Sequence, residues 1–119
     1  MTPDEMYRAV MMADPPAAAT PLDADQRNHR FGEIWSRPGL SVRDRRFVTI
    51  ACASAAVDVP LMDEHVYAAL ASGDISREEF QEVVLHFAYY AGWPRASAFE
   101  MAFYRAVARI DADTAKHAD

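Results

Sequence analysis

Proton transfer near neutral pH calls first for an imidazole, and two of the four histidines stand among other polar groups at helical spacing. His86 has Glu82 four residues before it and Tyr90 four residues after it, so a helix would carry a carboxylate, an imidazole and a phenol along one face. Glu82 could orient His86 or stabilise its charge, and the same row would equally serve a hydrogen-bonded interface. His65 follows Asp63 and Glu64 directly and reads either as a proton-transfer group or as a structural histidine. Glu33 and Arg37 lie one turn apart beside the forced turn at Pro38-Gly39, where the carboxylate could exchange a proton and the guanidinium could pair with it or hold an anion. Arg43, Arg45 and Arg46 form a basic run near a helix start, which salt bridges or one substrate-facing arginine would explain. Trp35, Trp93, Tyr89 and Tyr90 could line a pocket or fill a core.

The remaining residue inventory narrows the chemistry. Cys52 is the single cysteine, which excludes an intrachain disulfide or a CxxC redox pair, and its apolar surroundings predict a core position. No His-Glu-x-x-His motif, glycine-rich dinucleotide loop or phosphate loop occurs, so neither a metal nor a cofactor is expected. The formal charge of −6 at pH 7 weighs against nucleic acid as a partner. No apolar stretch approaches the roughly 20 residues that cross a bilayer, and Asp4 and Glu5 stand where a secretory leader would be positive. A cytoplasmic protein without a membrane partner is the resulting expectation.

The elements that must position these groups are helical throughout. The 119 residues suffice for one core, with 51% apolar positions. A short helix is predicted over 4–12, stopped by Asp14-Pro15-Pro16, and a second from about Pro21, capped by Thr20 and running past Phe31, Ile34 and Trp35 to the break at Pro38. Ser41 and Asp44 resemble a capping box for a buried helix over about 42–56. Residues 61–71 form the next helix, ending at Ser72-Gly73; Ser76 and Glu79 open another on which Phe80, Val83, Val84 and Phe87 recur at helical spacing; and a last helix follows Trp93-Pro94. The predicted organisation is an all-α domain of five or six helices over 21–110, with an N-terminal arm over 1–20 and a C-terminal tail over 111–119.

The strings GEIWSRPGL at 32–40, HVYAAL at 65–70, and EVVLH at 82–86 before Gly92-Trp93-Pro94 resemble the carboxymuconolactone decarboxylase family over roughly residues 28–108. That resemblance implies the alkylhydroperoxidase D-like helical fold and a homo-oligomer, a trimer or hexamer, with pockets near subunit contacts. The alkylhydroperoxidase D branch uses a CxxC pair before a histidine, but those cysteine positions correspond here to Asp58 and Leu61, and the upstream glutamate position carries Arg46. Thiol-dependent peroxidase chemistry is therefore not implied.

The decarboxylase branch implies a cofactor-independent carboxy-lyase of aromatic catabolism, acting on a small carboxylated lactone such as 4-carboxymuconolactone. Loss of the carboxylate leaves a dienolate that needs a nearby cation and an acid to protonate carbon. On this basis the expected catalytic residues are His65 as donor, Glu33 as its orienting partner and His86 as second donor, with Arg37, Arg46, Trp35 and Tyr90 binding substrate. Isomerisation, cyclisation or elimination on another small cyclic acid, or a non-catalytic helical binding module, are the competing readings.

Overall fold

Side-chain caps set most of the helix starts in the computed structural model, which describes residues 1–117. Thr2 Oγ1 accepts from Glu5 N–H at 3.1 Å to open α1 (Pro3–Met11), and Thr20 Oγ1 accepts from Asp23 N–H at 3.1 Å to open α2 (Pro21–His29). Ser41 Oγ takes the Asp44 N–H at 3.0 Å at the head of α3 (Val42–Ala56), and Asp58 Oδ1 takes the Leu61 N–H at 3.2 Å at the head of α4 (Val59–Ala71). The reciprocal Ser76–Glu79 capping box opens α5 (Arg77–Ala91), and α6 (Trp93–Lys116) follows after Gly92. The chain is all-α, with no strand among the described residues.

Contacts divide the chain into two units, residues 1–45 and the remainder from Arg46. In the first unit, α2 passes directly into a π-helical turn at Arg30–Ile34, closed by Trp35 N–H donating to Arg30 O at 2.9 Å. The sequence predicts one uninterrupted helix here. The π turn instead carries Phe31 and Trp35 into a cluster with Met6, Val10 and Met11 of α1. Helix α1 therefore packs as part of this unit, whereas the sequence suggests an arm. Gly32 permits the close approach, because a Cβ there would stand 3.0 Å from Pro3 Cγ. Helix α2 itself buries no residue, and its Leu22 is exposed.

In the second unit α6 packs on both α4 and α5, and Phe99, Ala102, Phe103 and Ala106 meet Met62, Val66, Phe80 and Val84 in one apolar cluster. Phe80 makes an edge contact with Phe99 at 6.2 Å and a tilted one with Phe103 at 5.9 Å. Helix α6 continues through Lys116, so 111–116 are helical where a tail is predicted. Arg77 pairs with Asp111 and Arg105 with Asp63, tying α6 to its neighbours at their exposed edges. Helix α3 buries Arg46, Ile50, Ala53 and Ser54, which turns Val48 outward and leaves Cys52 exposed, a correction to the expected core cysteine.

Two features of this unit carry energetic consequences. Arg46 is 1% exposed, and its Nε donates to Asp74 Oδ2 at 2.8 Å, pinning the α4–α5 connection to α3. Val57 ends α3 in the left-handed region at φ 53, where Asp58 N–H bonds Ala53 O and Val57 N–H bonds Ser54 O. A β-branched residue is poorly suited to that conformation. Val57→Gly should therefore raise the unfolding midpoint by a few degrees, corresponding to about 1 kcal/mol, as thermal denaturation would read. Asp74→Ala should cost about 2 kcal/mol in urea denaturation, since it removes the carboxylate facing a buried guanidinium while Asp74 itself is partly solvated.

Candidate active site

Helix α5 buries Phe80, Val84 and Ala88 at four-residue intervals. With about 100° per residue, His86 then points about 200° away from Val84, and Glu82 and Tyr90 share its side of the helix. The His86 and Tyr90 rings stack with centroids 5.1 Å apart and planes at 26°. Phe47 and Ala51, one turn apart on α3, face this row across a groove of about 830 Å³ whose wall also includes Val83 and Phe87. Phe87 is braced from behind by an edge contact to Phe99 at 5.5 Å. The groove is within the size range of small-molecule sites, and it offers a mainly apolar wall with an imidazole and a carboxylate on one side. Such a surface can seat a small ring and exchange a proton with it.

A second, smaller groove of about 360 Å³ lies between α5 and α6, bordered by Leu85, Ala88, Trp93, Ala96 and Glu100. Glu82 and Leu85 line both grooves. The surface around them is strongly apolar, with Leu85 51%, Tyr89 79%, Tyr90 83% and Trp93 68% exposed.

The remaining expected site residues occupy different settings. His65 is 2% exposed, on the buried side of α4 with Met62, Val66 and Ala69, and it is not part of the groove wall described above. Arg46, expected to bind an anion, is committed to Asp74 and enclosed by the core. Trp35, expected against substrate, is a core side chain of the first unit, stacked on Phe31 at 6.4 Å. In that same unit Glu33 Oε2 meets His29 Nδ1 at 3.3 Å, and Arg37 is exposed while its carbonyl accepts from Arg45 Nη2 at 3.0 Å. Among the described residues, no three His, Cys, Asp or Glu side chains gather as metal ligands, and no helix is long and apolar enough to cross a membrane.

Sequence reading thus brings together the Glu82, His86 and Tyr90 row, but it omits Phe47 and Ala51 as its opposing surface and Phe87 as part of the wall. The four-residue spacing of Phe47 and Ala51 is the only local hint of a shared face, and it does not name the helix they oppose. His29 is also omitted, although it stands four residues before Glu33.

Residues 20–103 match the model of the carboxymuconolactone decarboxylase family. A 68-residue stretch is 38% identical to 4-carboxymuconolactone decarboxylase of Acinetobacter baylyi (strain ATCC 33305 / BD413 / ADP1), covering 57% of this chain and 50% of that protein. The chain thus spans half the length of this relative. No solved structure matches significantly. The family match covers most of both units and agrees with their all-helical build: the chain belongs to the carboxymuconolactone decarboxylase family.

Proposed function

We propose that the chain is a cofactor-independent, decarboxylase-like enzyme acting on a small carboxylated lactone such as 4-carboxymuconolactone, with His86 as its proton donor. The observation that carries this reading is the stacked His86–Tyr90 pair on the wall of a mainly apolar groove of ligand size. Membership of the family and the likeness to a protein bearing that enzyme's name support the substrate class.

The reaction places few demands on the protein. The bond from the ring carbon to the carboxylate breaks, carbon dioxide leaves, and the electron pair passes into the unsaturated lactone as a dienolate. An imidazolium at His86 then gives its proton to carbon, and solvent restores it. Phe47, Val83 and Phe87 hold the ring by apolar contact, and Tyr90 fixes the imidazole plane by stacking. Arg46 is occupied by Asp74 and is not assigned to the substrate carboxylate. The buried His65 is assigned to the interior of α4, and the donor role passes to His86 because that side chain faces the groove.

The exposed Leu85, Tyr89, Tyr90 and Trp93 support a homo-oligomer, a trimer or hexamer, in which this apolar surface is covered. Light scattering on the purified protein should read three or six times the chain mass, and the Tyr89→Lys, Trp93→Lys double variant should fall to monomer with its helical circular dichroism unchanged. Supplied 4-carboxymuconolactone should release carbon dioxide. His86→Gln should lower kcat about 100-fold with the assembly intact. Undiminished turnover by that variant would remove His86 from the mechanism, and no turnover by the assembled native protein would remove the substrate.

A further inference from the structure

The first unit contains an imidazole–carboxylate pair that the reaction above does not use. His29 closes α2, Glu33 lies in the π turn that follows, and His29 Nδ1 stands 3.3 Å from Glu33 Oε2. Both side chains face solvent, at 62% and 73% exposure, so each is open to a ligand. The turn that holds them is tightly fixed from below. Phe31 and Trp35 are buried against α1, Tyr7 meets Phe31 edge-on at 4.9 Å, and Gly32 lets Pro3 approach. Ser36 Oγ donates to Gly32 O at 2.9 Å, capturing a carbonyl inside the turn. Nearby Arg30 is directed elsewhere, with Nη2 donating to Gln26 Oε1 at 3.0 Å. A π turn gives up regular helical bonding, and such turns recur at functional positions.

We propose that Glu33 is a positioning residue whose partner is His29, and that the pair forms an acid–base site on the first unit. A carboxylate at Nδ1 selects the Nδ1–H tautomer, which leaves the Nε2 lone pair facing outward as a proton acceptor. The ligand class that fits an outward Nε2 is a small neutral cyclic enol, which donates its O–H to the imidazole. On proton transfer the enol oxygen keeps the O–H electron pair, His29 becomes imidazolium, and Glu33 balances its charge. The choice of enol rests on the decarboxylase reading, because carbon dioxide loss from an unsaturated lactone generates a dienolate and its enol; the tautomer and the pairing do not rest on it.

Nitrogen NMR of the full chain labelled at histidine tests the pairing directly. His29 should report the Nδ1–H tautomer in the native protein and revert to the Nε2–H form in Glu33→Gln, with Glu33→Asp retaining Nδ1–H. Titration with 2-hydroxycyclopent-2-enone should shift the His29 nitrogen signals in the native protein and leave them unmoved in Glu33→Gln. An Nε2–H tautomer in the native protein, or an enol that leaves His29 unmoved, overturns the site. Failure of the native protein to release carbon dioxide defeats the decarboxylase reading alone, because the tautomer and the enol titration need no turnover.

Discussion

Burial of one side of α5 is the constraint on which the second unit depends. Phe80, Val84 and Ala88 reach the core only in one rotation of the helix, and Phe99 and Phe103 of α6 hold that rotation by ring contacts. The helical period then fixes the direction of Glu82, His86 and Tyr90 without any contact of their own to the core. The groove's chemistry is in this sense a by-product of apolar packing on the opposite side. Its far wall has the same origin, because Phe47 packs on the apolar cluster from α3 while also facing the groove.

Charge is distributed by a different rule. A guanidinium taken from water needs a carboxylate close by, and Arg46 finds it in Asp74, 28 residues further along the chain. This removes the most deeply placed arginine from any encounter with substrate and uses it to hold the α4–α5 connection. Arginines with solvated head groups, such as Arg37, keep the freedom to meet an anion. The basic run at 43–46 therefore does not act as one unit, since its last member is structural.

The first unit shows how a local irregularity can sort side chains between core and solvent. A π turn gathers Phe31 and Trp35 on α1, and at its outer edge it sets Glu33 against His29. The family string GEIWSRPGL is thus a composite. Its glycine serves close approach, its tryptophan serves the core, its serine ties the turn, and its glutamate faces His29 in solvent.

Local pattern alone determined the helical class, four of the helix starts through Thr20, Ser41, Ser76 and Pro94, and the Glu82–His86–Tyr90 row. These are legible because a cap reaches three residues and a helical face repeats every three or four, distances that a sequence displays. Tertiary structure decided which side of each helix is covered. His65 and His86 both sit on helices beside carboxylates, yet one is enclosed by α4's packing and the other faces a groove. Arg46 became buried, Trp35 became core and Cys52 became exposed for the same reason: solvent access is set by elements distant in the chain, and the residues nearest in sequence do not record which element that is.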